Sequence, residues 1–364
     1  MKQKSQNRFL AALLAVAMML QMLPMLAFAE DAPGTGEVWN KTKNNKKYTS
    51  LVTAVQEASS GDTIILGEGN YTLFEKNNNH AKAGNKDLTF VGQGTDKTAW
   101  NIGDEVPDPN KFGTEYNGDY SFDGAKTVTF KNMTLRSGKV DYLGFIRPDQ
   151  TVVDNCVING RTHYWGYTSA VFTDTTFNTP EDDYALWTYS SPTMIFDNCT
   201  FNADGAKGKV INVYTEGTTQ DIRVYFNNCT VNSSKLGKQV LKINDRFMRP
   251  YKFIVYINNP HINATAARDK MTCSQLFGFG SDQDSNTGYT DVYLNGDLVW
   301  TNGKMKTHSY TDGEKEDAYE ITGRSDWTPS VERVDECEVT KTCKYCGWTK
   351  KELEHASVYR LQYN

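Results

Sequence analysis

Short stretches of alternating apolar and polar residues recur along the middle of the chain. Six ten-residue segments align without gaps, at 129–138, 152–161, 171–180, 195–204, 225–234 and 256–265. Each has Asn or Asp at its fourth position, so the alternation is interrupted at the same point in every copy. Alternation with a period of two is typical of half-buried strands. The pattern therefore predicts a repeated strand with a bend at the shared polar position.

The spacing of the shared polar position indicates the type of repeat. The position is occupied by Asn132, Asn155, Asp174, Asn198, Asn228 and Asn259, at spacings of 23, 19, 24, 30 and 31 residues. Such lengths suit coils of a β-helix with loops of different sizes, whereas propeller blades are about 40 residues long. Phe196, Cys199 and Phe201 can all face the interior only if the chain bends beside Asn198. We therefore expect these Asn residues at corners, with their amides stacked and hydrogen-bonded along the coil axis.

A second set of strands follows the first, at 143–148, 185–190, 210–215, 240–245 and 276–281. If Leu186, Ile211 and Leu241 face the core, the alternating residues between them point outward. The outward residues that we expect to contact a ligand are Arg147, Trp187, Tyr189, Asn212, Tyr214 and Lys242. Aromatic faces stack on sugar rings, while amides and charged groups bind sugar hydroxyls. An ordinary solvent-exposed strand surface is the alternative interpretation.

Residues 49–73 combine a short amphipathic helix with a following strand. Leu51, Val52, Val55 and Ala58 share one helical face, and Thr63–Leu66 is a predicted strand. This helix, the GDTI turn and the GNYTL strand resemble the N-terminal cap of pectin-lyase-like right-handed parallel β-helices. The resemblance covers residues 49–303 and implies an all-β fold, a single-stranded right-handed parallel β-helix with a capping helix. An open coil of strands needs such a cap because its apolar end would otherwise be exposed.

The resemblance leaves two function classes open, because the superfamily contains lyases, hydrolases, esterases and non-catalytic adhesins. The sequence has no polygalacturonase-like N-x-D, D-D, G-H-G and R-x-K series and no esterase-like G-x-x-D-F-I-F-G motif. We therefore expect a non-catalytic, adhesin-like module that contacts glycans. The alternative is a polysaccharide lyase or glycoside hydrolase acting on a uronate-containing polysaccharide, with catalytic candidates Lys242, Arg246, Asp182, Asp183 and Asp245. A lyase would need a base and cations, and Asp182 or Asp245 would hold calcium.

The N-terminus and the charge balance indicate the compartment and the class of partner. Lys2, Lys4 and Arg8 precede an apolar run at 9–28 that ends in an A-x-A pattern, which predicts a cleaved signal peptide over residues 1–29. A retained membrane anchor is the alternative. Cleavage would remove three basic groups and change the formal net charge from −5 to −8. We therefore expect a secreted monomer that binds a polysaccharide or cell-surface glycan, and neither nucleic acid nor, after cleavage, a membrane.

The C-terminal segment is rich in Lys, Glu, Asp and Thr and contains a short Cys motif. Cys337, Cys343, Cys346 and His355 are candidate ligands of a structural zinc ion. The CKYCG turn resembles the Cys-x-x-Cys-Gly modules at the C-termini of secreted surface proteins of anaerobic Firmicutes. One disulfide with a free thiol, and a fully reduced tail, are the alternatives to zinc. The predicted organisation is a signal peptide (1–29), a linker (30–48), a β-helix (49–303), a second linker (304–335) and a small Cys-rich tail (336–364).

Three further cysteines, Cys156, Cys199 and Cys229, occupy equivalent positions in the repeats. We expect them to be buried thiols that act as small apolar side chains. A metal or redox cluster is the alternative, and a disulfide between Cys199 and Cys229 is conceivable because neighbouring strands lie about 4.8 Å apart.

Overall fold

The fold is dominated by β-strands, most of them in three long parallel sheets. The computed structural model describes residues 32–72, 74–75, 79–80, 83–102, 122–137, 145–159, 162–164, 166–179, 186–189, 191–203, 209–215, 218–233, 239–243, 248–264, 289–301, 304–305, 319–325, 328–329, 334–343 and 349–357. The predicted signal peptide lies outside these residues. Within the described ranges, no helix has the length and apolar character that crossing a membrane requires.

The longest sheet has thirteen strands. In spatial order they are β2 (Lys46–Tyr48), β1 (Val38–Asn40), β3 (Thr63–Leu66), β7 (Leu88–Val91), β9 (Thr127–Lys131), β12 (Gln150–Asp154), β15 (Ser169–Thr173), β18 (Thr193–Asp197), β21 (Ile222–Asn227), β24 (Phe253–Asn258), β26 (Thr290–Leu294), β27 (Asp297–Thr301) and β28 (Lys304–Met305). Pairing is parallel from β3 to β26 and antiparallel at both ends.

Two further parallel sheets accompany the thirteen-stranded sheet. The eight-stranded sheet runs β25 (His261–Ala264), β22 (Thr230–Ser233), β19 (Thr200–Asn202), β16 (Thr176–Asn178), β13 (Val157–Asn159), β10 (Thr134–Ser137), β8 (Thr98–Ile102) and β4 (Gly69–Tyr71). The five-stranded sheet runs β11 (Phe145–Ile146), β14 (Thr162–Tyr164), β17 (Leu186–Tyr189), β20 (Lys209–Tyr214) and β23 (Gln239–Ile243). From β9 to β24 the chain visits the three sheets in turn, so every third strand extends the same sheet. This order is compatible with a β-helix.

Two smaller sheets complete the described strands. β5 (Phe74–Glu75) pairs with β6 (Asn79–His80). Near the C-terminus, an antiparallel sheet contains β29 (Tyr319–Arg324), β30 (Thr328–Pro329), β31 (Val334–Cys343) and β32 (Thr349–Ser357).

The predicted bend at the shared polar position is confirmed. All six residues at this position have positive φ values between 48° and 55°, a left-handed conformation that Asn and Asp tolerate better than other non-glycine residues. The bend turns Phe196, Cys199 and Phe201 inward, and each is at most 1% exposed. Asn155 Nδ2 donates to Asn132 Oδ1 at 2.9 Å, so part of the predicted amide ladder is also present.

The interior is filled by columns of stacked aromatic rings. Phe172, Phe196 and Phe226 lie on successive strands of the thirteen-stranded sheet, with ring centroids 5.0 Å apart in both pairs. Phe177 and Phe201 form a second stack at 5.0 Å on the eight-stranded sheet. The edges of this second pair contact Phe196. Residues from all three parallel sheets join one buried cluster, so the three sheets share a common core.

The predicted helix is present as α1 (Leu51–Glu57). Ser50 caps its N-terminus by accepting a hydrogen bond from the Thr53 amide at 3.3 Å. Leu51, Val52 and Val55 are buried in the common core cluster, which confirms the apolar face expected from the sequence. The role of α1 as a cap of the coil remains a prediction.

The structure differs from the predicted linkers at both ends of the repeats. Within residues 30–48, β1 and β2 form a hairpin that joins the thirteen-stranded sheet through β3. Val38 is 0% exposed and Trp39 is 6% exposed, so this segment contributes buried surface. Within residues 304–335, β28, β29, β30 and the start of β31 are strands. The described parts of both segments therefore contain strands where the sequence predicted linkers.

We expect Asn198→Ala to lower the free energy of unfolding by about 1–3 kcal/mol. Alanine is strained at the φ of 53° and loses the hydrogen bond that Asn198 Nδ2 donates to Asp174 Oδ1. Asn198→Gly also loses that bond but accepts the conformation, so its loss should be smaller. Urea unfolding of the two variants measures both contributions. If the two variants lost the same unfolding free energy, backbone strain at the left-handed corner would contribute nothing to the effect of Asn198→Ala.

Candidate functional site

The register of the five-stranded sheet aligns the residues that the sequence predicted to contact a ligand. Residues Phe145, His163, Trp187, Asn212 and Lys242 pair directly from one strand to the next. Tyr189 pairs with Tyr214 in the adjacent column. Neighbouring parallel strands are about 4.8 Å apart, so the residues of each column follow one another at regular intervals across the sheet. The predicted alignment of Trp187, Asn212 and Lys242 is thereby confirmed.

The neighbouring column of this sheet belongs to the core, as predicted. Leu186, Ile211 and Leu241 are in register, and Ile211 and Leu241 are 0% and 1% exposed. Asn212 follows Ile211 and is half-buried, as expected for a residue on the opposite face of the strand.

His163 also lies in this column, although its strand is not among the strands that the sequence predicted. Its strand β14 has three residues, too few for a period of two to be visible. Thr162 and Tyr164 are residue types that are common in strands. The three-residue sequence of β14 nevertheless does not match the other strands of this sheet closely enough to show how they align.

Arg147, another predicted binding residue, is fixed by an ion pair. It follows β11 directly, and its Nη2 contacts the Asp123 carboxylate. The Arg147 side chain is 16% exposed, so its guanidinium has limited freedom. Tyr167 lies beside this pair: burial raises the pKa of Tyr167, Arg147 opposes the rise and Asp123 adds to it. The Arg147–Asp123 pair is thus a rigid polar group next to the start of the five-stranded sheet.

The structure describes the backbone position of one of the five predicted catalytic residues. Lys242 lies on β23 in register with Asn212, whereas Asp182, Asp183, Asp245 and Arg246 lie outside the described residues. In the part of the chain that the structure describes, no group of three or more His, Cys, Asp or Glu side chains is placed to hold a metal ion. Calcium binding by Asp182 or Asp245 therefore remains a prediction.

Three of the four candidate zinc ligands lie on the two paired strands β31 and β32. Cys337 and Cys343 lie on the same strand, β31, and six residues of extended chain span about 20 Å. One zinc ion needs its thiolates within about 4 Å of each other, so this conformation does not bring the two together. His355 pairs with Glu336 on the facing strand, and Cys346 lies outside the described residues. A zinc site in this segment remains a prediction.

Cys337 itself is enclosed by an ion pair. It is 1% exposed, and Arg324 Nη1 lies 3.8 Å from its Sγ while binding Glu354 Oε2 at 2.6 Å. Lys341 and Glu352 form a similar pair at 2.8 Å on the same hairpin. The Cys337 thiol is therefore buried and contacts one member of an ion pair, Arg324.

The three repeat cysteines are free, buried thiols, which confirms their predicted role as small core side chains. Each Sγ donates to the carbonyl two residues earlier, for example Cys156 to Asp154 O at 3.3 Å. Thr175 makes the same bond through Oγ1, to Thr173 O at 2.9 Å. Burial raises the pKa of Cys156 to about 12 and raises the pKa of Cys199 well above its ordinary value. Protonated buried thiols are poor nucleophiles, so Cys156 and Cys199 act as structural residues.

A column of tyrosines on the thirteen-stranded sheet was missed by the sequence analysis. Tyr225, Tyr256 and Tyr293 stack with ring centroids 4.8 and 5.2 Å apart. Tyr225 and Tyr256 open their aligned segments, YFNN and YINN, and this shared first position is the signal that could have revealed the column. Within the column the ring faces cover one another, so a sugar ring could stack only at its ends.

Comparisons with protein-family models, with curated proteins and with solved structures gave no match. A functional conclusion therefore depends on the residues and their arrangement in this chain.

Proposed function

We propose that this chain is a secreted, non-catalytic module that contacts an acidic polysaccharide along the five-stranded sheet. The proposed fold is the right-handed parallel β-helix of pectin-lyase-like proteins, with α1 as its N-terminal cap. The N-terminal signal-peptide pattern supports secretion.

The single observation that carries this proposal is the register of the five-stranded sheet. It aligns Trp187 with Asn212 and Lys242 on successive strands, and Tyr189 with Tyr214 beside them. An extended polymer that runs along the coil axis would meet these residues one after another. Aromatic rings would stack on its sugars, and Asn212 would bind hydroxyls. Lys242 provides positive charge for carboxylates, whereas the charge of Arg147 is already paired with Asp123.

The choice of binding over catalysis rests on the sequence, which lacks the ordered catalytic motifs of the hydrolases and esterases that it resembles. Lys242 is also the residue that would serve as a base if the chain were a lyase. One experiment can therefore address both functions.

The test is affinity electrophoresis of the mature chain in gels that contain polygalacturonate. We expect the wild-type chain to be retarded, and Trp187→Ala to weaken binding about tenfold because one stacking contact is lost. Lys242→Gln should weaken binding mainly at low salt. Tyr256→Ala and Lys97→Gln are matched controls, because Tyr256 belongs to the thirteen-stranded sheet and Lys97 forms an exposed pair with Glu68.

The same samples, incubated with calcium, are followed by absorbance at 235 nm for unsaturated uronates. A signal that Lys242→Gln abolishes would show that the chain is a lyase and not a non-catalytic binding module. Absence of retardation, or equal losses in the control variants, would reject the five-stranded sheet as a binding face.

A further inference from the structure

A second ladder of Asn side chains runs along the eight-stranded sheet. It contains Asn159, Asn178, Asn202, Asn232 and Asn263, which lie at or near the ends of five successive strands. Each Nδ2 donates to the Oδ1 of the preceding Asn, at 2.7, 2.6, 2.7 and 3.0 Å. The ladder is unbroken over five strands. Every aligned segment from 152–161 onward has Asn at its eighth position, so the signal was present in the sequence.

A column of threonines accompanies this ladder. Thr176, Thr200 and Thr230 are in register on successive strands, and all three are half-buried. The residues between the two columns, such as Phe177 and Phe201, are 0% exposed. Since successive side chains alternate between faces, the Thr column and the Asn ladder share the outer face of the eight-stranded sheet.

The hydrogen bonds of the ladder leave part of each amide available. An Asn amide has two N–H donors and an oxygen with two lone pairs. The internal members of the ladder use one donor and one lone pair, so each keeps one donor and one acceptor. The bonds also fix the orientation of the amides. The face therefore presents oriented donor and acceptor groups, with Thr hydroxyls alongside, at a repeat of about 4.8 Å.

These two columns carry no charged side chain from β13 to β22. A sugar hydroxyl both donates and accepts hydrogen bonds, so it matches the donor and acceptor that each amide retains. The fixed amides lose little conformational freedom on binding, which lowers the entropic cost. We propose that the outer face of the eight-stranded sheet binds an uncharged polysaccharide that lies along the coil axis. This site is separate from the five-stranded sheet and does not depend on the function proposed for it.

The test replaces the three threonines by valine in the full mature chain. The column itself contains Val157, in register with Thr176, so the sheet accommodates valine at this position. Binding is measured by affinity electrophoresis in hydroxyethylcellulose, glucomannan and xylan, with polygalacturonate as the acidic comparison. We expect at least one neutral polymer to retard the wild-type chain. The triple variant Thr176→Val, Thr200→Val, Thr230→Val should weaken that binding about tenfold, because three hydroxyl contacts are lost.

Three controls test whether a loss of binding arises from a damaged fold or from the five-stranded sheet. Thr193→Val removes a half-buried hydroxyl from the thirteen-stranded sheet and should leave neutral binding unchanged. Trp187→Ala should also leave it unchanged, and the triple variant should bind polygalacturonate as the wild-type chain does. Thermal unfolding of every variant verifies the fold. The proposal is overturned if no neutral polymer retards the wild-type chain, if the triple variant binds normally, or if Trp187→Ala abolishes neutral binding.

Discussion

Replacing Phe196 by alanine is expected to lower the free energy of unfolding by about 4 kcal/mol. Phe196 is 0% exposed and stacks on Phe172 and Phe226, each at 5.0 Å. Its edges also contact Phe177 and Phe201 at 5.8 and 5.7 Å. Alanine would remove the central ring of this column and leave a cavity between the neighbouring coils. The loss therefore combines burial, ring packing and the cost of the cavity.

Urea unfolding measures this loss, with Phe196→Leu and Tyr256→Ala as comparisons. Leucine keeps most of the volume, so we expect its loss to be well below that of alanine. Tyr256 also stacks on two neighbours, but it is half-buried on the outer face and leaves no internal cavity. If Tyr256→Ala were as damaging as Phe196→Ala, ring stacking alone would explain the stability and the interior column would have no special role.

The repeats, the corners and the register of the five-stranded sheet could be predicted because each repeat supplies the same evidence again. Asn198 illustrates this: its position between Phe196 and Phe201 demands a bend, and five other segments demand the same bend at the same place. The strands that follow show their own alternation, in which Leu186, Ile211 and Leu241 were assigned to the core. Trp187, Asn212 and Lys242 each follow one of these residues, so they could be placed in one column without a structure.

Short elements outside the repeats were not predictable in the same way. The hairpin of β1 and β2 has three-residue strands, which are too short to show a period of two. Its turn contains Asn44 and Asn45, both with positive φ, at 53° and 55°. Two adjacent residues of this kind fit a tight hairpin turn, but in a Lys- and Asn-rich segment they also suit a linker. The burial of Val38 in the structure distinguishes a hairpin from a linker.

The second Asn ladder was missed for a different reason, although its signal was present in five of the six aligned segments. Asn202 and Asn232 each follow a buried residue, so they occupy the outward positions that regular alternation gives to polar residues. The alternation therefore gave no sign that their side chains bond to one another. The corner position was noticed since it broke the alternation. Side-chain ladders on a regular strand leave the backbone pattern unchanged, and register alone reveals them.

The largest chemical effect is expected at the buried thiols, where Cys156 should react about 10³-fold more slowly with iodoacetamide at pH 8 in the native chain than in urea. Burial raises the native pKa of Cys156 to about 12, against about 8.5 in an unfolded chain. The reactive thiolate is therefore scarce in the native state. Labelling followed by peptide mass spectrometry measures the two rates. A native rate close to the unfolded one would mean that Cys156 is accessible and ionised.

The same shift makes stability fall at alkaline pH. Because the native pKa lies above the unfolded one, the stabilisation is complete below about pH 8.5 and is lost as the pH rises toward 12. From pH 8 to pH 10, Cys156 should account for about 2 kcal/mol of lost unfolding free energy. Cys156→Thr places at this position the residue that the next aligned segment has there, Thr175. The variant should not show the loss of about 2 kcal/mol between pH 8 and pH 10. Its unfolding free energy at pH 7 should differ from that of the wild type by much less than this. If wild type and variant lost equal stability between pH 8 and pH 10, groups other than this thiol would cause the alkaline loss.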